Sequence, residues 1–387
     1  MKADRLLIIS VFCLAMTHCE YKVTQPAWYD DFTETTSPSI TGIEPAAATA
    51  GWNYITIKGT DFSSEPKIYF DNFKAKLLTY TDSSVTVRRP DMSGDSCIVK
   101  VVCDNALVVA KYSPYQITSV LEQYGNFLEN IRLNVVAVDT SENMFVVDSI
   151  KNIYKVTADG QKSIVAEASR KPTDATIGPD GNLYLLENNR AIDKLDVASG
   201  TVARWIQMPS GKTVKFGDFD EAGYFYAGGT RTDLQIVNPS LSISSAGYYS
   251  ADTIQAVRVC GDYVYVAASA TGDAAPSIIR HPISSGSVGA PDTVLDLSTT
   301  DFSSRVITAL GFSADGIMFI ATDTSDPILI CNPETREIDY FYKDILPAYC
   351  KHLNWGGANY LYMIVGDNVA EADWTIYRVD MGTADAP

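Results

Sequence analysis

The residues with most to offer chemistry in this chain are aromatics set among acids, amides and hydroxyls: Tyr248, Tyr249, Phe302, Tyr349 and Trp374. An aromatic face stacks on the C–H face of a sugar ring, while nearby carboxylates and amides take the hydroxyls. Arg305 and Lys351, with Arg132, Arg190 and Arg231, add cations that suit acidic groups. Tyr249, Phe302, Trp374, Arg305 and Lys351 are therefore the expected ligand-binding set. Each has a competing use, because Tyr is abundant throughout and cations in an acidic chain pair with neighbouring carboxylates.

Covalent chemistry is not signalled. The sequence holds no Gly-x-Ser-x-Gly elbow, no His-Glu-x-x-His and no Gly-rich phosphate loop, and no catalytic residue is assigned. Past residue 19 the histidines are His281 and His352, and the five remaining cysteines are irregularly spaced, which fits neither a zinc site nor a disulfide framework. No cofactor is called for, and calcium is the one metal left open. If the chain enclosed an axial site, Asp174, Asp218, Asn354 and His352 are the residues that would approach it. Asp139, Asp180 and Asp220 read instead as hairpin-turn residues that bond their own backbone. A formal charge of −17 repels phosphate backbones, so nucleic acid is not an expected partner.

What must position these residues is a repeat. Residues 178–186, Gly-Pro-Asp-Gly-Asn-Leu-Tyr-Leu-Leu, run from a polar turn into an apolar strand, and the phrase recurs five more times. Its strand aromatics are Phe145, Tyr184, Tyr226, Tyr265, Phe319 and Tyr362, at spacings of 39, 42, 39, 54 and 43 residues. Six units of this length are four-stranded blades that bury their faces only against one another, a β-propeller over residues 119–387. The last unit lacks an outer strand, and residues 117–124 are expected to supply it, because an open edge would otherwise remain. The loops on the side of the second-to-third strand connections are longest in blades four to six, and that face is the expected binding face.

Residues 38–118 form a separate set of short strands divided by Gly, Pro, Asp and Ser turns, which reads as a small β-sandwich. Ile40-x-x-Ile43-x-Pro45, Ile55-Thr56-Ile57-x-Gly59-x-x-Phe62, Ile68-Tyr69-Phe70 and the stretch ending at Pro90 resemble an IPT/TIG immunoglobulin-like domain. That resemblance implies a spacer or adhesive module. Asp180-Gly-Asn-Leu-Tyr184 followed by Ile192-x-Lys-Leu-Asp196 is similar to NHL-type repeats, in degenerate form, over about 260 residues. The expected fold class is all-β: an immunoglobulin-like sandwich followed by a six-bladed propeller.

At the start of the chain Lys2 and Arg5 precede an apolar run of eleven residues, 6–16, which is signal-peptide length and too short to span a bilayer. Leu14-Ala15-Met16-Thr17-His18-Cys19 resembles a bacterial lipoprotein signal, which implies lipidation of Cys19 after removal of what precedes it. Residues 20–37 read as a polar tether. Lipoproteins that look like this accompany glycan-import systems in Gram-negative bacteria. The resemblance implies outer-membrane, cell-surface capture of an oligosaccharide or other small ligand, in company with import proteins. Two other readings stay open: a metal-dependent hydrolase or lyase with an axial site, and a protein-docking scaffold with an exposed apolar patch.

Overall fold

The computed structural model describes residues 34–48, 54–62, 65–90, 92–119, 121–127, 131–270, 275–343, 345–366 and 374–381. The leader, Cys19, most of the expected tether and Trp52 lie outside the described residues. The protein is all-β, with one 3-10 turn at Leu297–Thr299 among the described residues.

The N-terminal unit is a sandwich of two sheets. One runs in the order Ser39–Glu44, Tyr54–Thr60, Ser84–Arg88, Leu77–Tyr80. The other runs Ala47–Ala48, Ala110–Ile117, Gly94–Val102, Lys67–Phe70, Phe73–Lys74. Alternation places Ile55, Ile57, Val85 and Val87 inward from the first sheet against Ile68, Phe70, Val99 and Val101 from the second, with Phe62 buried at the strand end. Gly59 is fixed by space: a Cβ there would come 1.9 Å from the Ser39 carbonyl oxygen. The sandwich cysteines Cys97 and Cys103 are buried thiols that form no disulfide.

Six further sheets follow as blades, and their inner strands are Leu133–Val138, Asp174–Ile177, Phe216–Phe219, Asp252–Cys260, Ile307–Phe312 and Cys350–Trp355. Neighbouring blades bury Val, Ile, Leu and aromatic side chains between them, so the propeller core is a set of interblade layers. The recurring turn acid and strand aromatic prove to be partners. Tyr184 donates its hydroxyl to Asp180 at 2.9 Å, Tyr226 to Asp220 at 3.0 Å, and Tyr362 of blade six to Glu142 of blade one at 2.7 Å. Burial and these carboxylates push all three phenols well above the usual tyrosine range.

The ring closes as the open-edge argument requires, but by a shorter strand than residues 117–124, because Ile117 ends the sandwich strand Ala110–Ile117. Glu122–Gln123 lies antiparallel to Thr375–Asp380 and forms the outer strand of blade six. Arg378 grips both carboxylate oxygens of Glu122 at 2.8 and 3.1 Å and lies 4.2 Å over the Tyr124 ring. The sandwich is held onto blade five. Arg88 meets Asp339 at 2.9 Å and donates to the Tyr340 carbonyl at 2.9 Å, while Arg89 donates to the Tyr342 hydroxyl at 2.7 Å and the Thr118 carbonyl at 2.7 Å.

Candidate ligand-binding site

Strand register decides what surrounds the axis. On each inner strand, the residue paired with the repeat aromatic is, in blade order, Ala137, Thr176, Asp218, Arg258, Gly311 and Asn354. Five of these six line a funnel of about 380 Å³ on the propeller axis, opening among the turns that join first and second strands. Its wall includes Ile177, Phe219, Leu310, Phe312 and Trp355, and its rim carries Asp139, Asp220 and Glu221. At Gly311 a Cβ would meet Leu353 at 2.7 Å, so blade five contributes backbone where its neighbours contribute side chains.

The floor is a set of hydrogen bonds that link blades two to five in succession, and blade six to blade one. Thr176 donates to Asp218 Oδ1 at 2.8 Å, and the Val259 amide donates to Asp218 Oδ2 at 3.1 Å. Arg258 Nε donates to the Leu310 carbonyl at 3.0 Å. The Val138 amide donates to Asn354 Oδ1 at 3.0 Å. Beneath this layer His352 Nε2 contacts Asp174 Oδ1 at 2.9 Å, while Asp174 Oδ2 accepts from the Gly217 amide at 3.0 Å. Arg258 lies 3.9 Å from Asp174 and 4.0 Å from Asp218. Burial pushes the Asp218 carboxyl up, and the Arg258 guanidinium pulls it back in part.

The axial positions expected for a metal are therefore brought together, but as an ion-paired plug. The Arg258 guanidinium already answers the charge of Asp174 and Asp218. Among the described residues no three His, Cys, Asp or Glu groups gather as a cation site requires. What the arrangement offers a ligand is a polar floor under an apolar wall.

The aromatic and basic residues expected to bind ligand lie elsewhere and are already engaged. Tyr249, 8% exposed, donates to His281 Nε2 at 2.7 Å, and His281 Nδ1 donates to the Gly289 carbonyl at 2.9 Å. Arg305, also 8% exposed, donates to Thr322 Oγ1 and to the carbonyls of Ser325 and Asp326, bracing the loop after a blade-five strand. Phe302 packs edge-on to Tyr340 at 5.2 Å, with Arg305 5.4 Å from its ring. Lys351 lies 5.5 Å over buried Trp374 and donates to Asn134 at 3.0 Å. The set thus falls into separate clusters, Tyr249 in blade four, Phe302 with Arg305 between blades four and five, and Trp374 with Lys351 at the seam of blades six and one. The face expected to bind carries the loops these residues brace, of which 271–274 and 367–373 lie outside the described residues. The axial funnel is at the opposite end of the propeller.

Thr176 and Arg258 were not among the residues singled out in the sequence. The signal was present: each stands opposite a repeat aromatic once the intervening turn is read as a hairpin. Arg258 is also a charge inside an otherwise apolar alternating strand.

Residues 38–119 match the IPT/TIG domain family. No curated protein matches the chain. Among solved structures, the chain is similar to an auxiliary nutrient binding protein from Bacteroides thetaiotaomicron, with a TM-score of 0.52 at 9% identity over 89% of this chain and 97% of that one. It is similar to a gluconolactonase from Xanthomonas campestris, with a TM-score of 0.53 at 11% identity over 67% of this chain and 89% of that one. A luciferin-regenerating enzyme gives 0.54 at 12% identity over 68% and 96% of the two chains. At these identities the likeness shows fold alone, and with the domain match the chain is an IPT/TIG immunoglobulin-like sandwich followed by a β-propeller.

Proposed function

We propose that this protein captures a neutral oligosaccharide at the cell surface, anchored through a lipidated Cys19, and that the axial funnel takes one end of the glycan without cleaving it. The observation that carries this reading is the funnel itself, with Thr176, Asp218, Arg258 and Asn354 under a wall of Phe219, Phe312 and Trp355. Such a floor exchanges hydrogen bonds with sugar hydroxyls, while the acids at the rim disfavour a polyanionic ligand. The fold neighbour described as a nutrient binding protein is in keeping with capture, and outer-membrane import proteins are the partners such capture would serve. The Arg258 plug weighs against the alternative of an axial metal hydrolase or lyase.

Calorimetric titration of neutral oligosaccharides, with product analysis in parallel, tests the proposal. Binding without turnover is expected, weakened about tenfold or more by Asp218→Asn. Turnover that disappears with a chelator would replace capture with metal-dependent catalysis. A docking role retains one supporting observation: Phe73, Ile98, Leu107 and Val108 are exposed on the sandwich.

A further inference from the structure

The sandwich and blade five enclose a second cavity, of about 390 Å³, beside the Arg88–Asp339 ion pair. One wall is the open face of the sandwich, where Tyr54 is 52% exposed and Leu78 40% exposed. The other is the hairpin joining the third and outer strands of blade five, with Asn332 and the exposed Glu337, and Ile317 completes the lining from the turn between the first two strands. In an up-and-down blade, the turn after the first strand and the turn after the third lie at the same end. The cleft and the axial funnel therefore open on one face, and blade five lines both: Leu310 and Phe312 at the funnel, Ile317 and Ile338 at the cleft. Strands spaced by roughly 4.8 Å put the outer strand of a blade only about 14 Å from its inner one.

We propose that the glycan path runs from the funnel over the Ser313–Ile317 turn of blade five into this cleft, where Tyr54 stacks on a second sugar unit. The inference rests on the funnel reading and adds the length of the ligand. The chemistry of the cleft suits a neutral pyranose. Lys76 and Arg88 both pair with Asp339, so the basic groups are already matched by an acid. Asn332 Oδ1 holds the amides of Glu334 and Thr335, which leaves its amide nitrogen as a donor beside the Glu337 carboxylate as an acceptor. The tyrosine ring supplies the apolar platform between such groups. The sandwich, fixed to blade five by Arg88 and Arg89, becomes half of a binding site in addition to a spacer.

The test compares cellobiose with cellohexaose, maltose with maltohexaose and mannobiose with mannohexaose by calorimetry. In one series the hexasaccharide is expected to bind about tenfold tighter than its disaccharide. Tyr54→Ala removes that gain and leaves the disaccharide unchanged, and Glu337→Gln, on an exposed hairpin that tolerates substitution, reduces it. Asp218→Asn weakens both ligands. If Tyr54→Ala and Glu337→Gln leave the hexasaccharide unaffected while Asp218→Asn weakens it, the cleft is overturned and the funnel stands. Equal affinity for disaccharide and hexasaccharide in every binding series also overturns it. If no series binds the unmodified protein, the funnel reading fails and the extension goes with it.

Discussion

His352 Nε2 and Asp174 Oδ1, 178 residues apart in the chain, meet at 2.9 Å across the propeller axis. The Val136 amide donates to Nδ1 of the same ring at 3.4 Å, which places the ring proton on Nε2, facing the carboxylate. One imidazole thus joins blades six, one and two. His352→Ala is expected to cost about 2–3 kcal/mol, the value of a buried bond to a charged group. The measurement is denaturant unfolding, with a lowered midpoint at constant slope. An unchanged midpoint would show that the interblade layers alone hold the ring.

Asp218 is expected to make the proposed ligand capture sensitive to acid. Its carboxyl is raised by burial, so it takes up a proton at a pH where exposed carboxylates remain charged. The charged form accepts from Thr176 and from the Val259 amide, and is the form expected to accept from a sugar hydroxyl. Affinity should fall as pH drops through this raised value, and Asp218→Asn should flatten that dependence. Calorimetry across the acid range distinguishes the two profiles.

Tyr249 donates its hydroxyl to His281, and the pair is expected to act as a structural lock. Tyr249→Phe is expected to cost about 1–2 kcal/mol in stability and to leave oligosaccharide affinity unchanged. Burial lowers the folded His281 pKa, so both states are neutral above the unfolded value of about 6.5. Below it the unfolded chain binds the proton first, and the lock's contribution is lost as pH falls toward the folded value. The stability difference between the unmodified protein and His281→Gln should therefore narrow between pH 7.5 and 5.5, as read by denaturant midpoints.

Gly357 marks the seam where the last blade meets the first. A Cβ there would sit 2.6 Å from Thr140 Cα, and its backbone neighbours cannot swing aside as a flexible side chain would. Gly357→Ala should destabilise by about 1–3 kcal/mol. Hydrogen exchange should show the loss first at Glu122–Gln123 and Thr375–Asp380, which pair across the closure. Gly316→Ala, at a turn where a Cβ meets nothing within 4 Å, is the contrast, with only the strain of its φ of +79°.

The propeller was legible because its landmark is periodic and local. Phe145, Tyr184, Tyr226, Tyr265, Phe319 and Tyr362 each announce a second strand, and each hairpin turn then fixes the first strand by register. The axial candidates Asp174, Asp218, Asn354 and His352 were legible for the same reason, and Arg258 follows from the same counting. The surroundings of the expected ligand-binding residues were not, because burial is a property of the assembled blades. Nothing local to Tyr249 announces that His281, 32 residues later, will take its hydroxyl. Nor does the sequence around Trp374 show that Lys351 will cover its ring. The cleft lay further out of reach, since Tyr54 and Glu337 are neighbours only once the sandwich settles on blade five.

The closing strand has a consequence for biogenesis. Glu122–Gln123 leaves the ribosome some 250 residues before the Thr375–Asp380 strand that it pairs with. Until that partner emerges, an early edge and a late edge of the nascent ring are both exposed to other chains, the condition that favours aggregation and proteolysis. A chain interrupted before Thr375–Asp380 would never lose that exposure. Closure of the ring therefore waits on Thr375–Asp380, however much of the propeller has already formed.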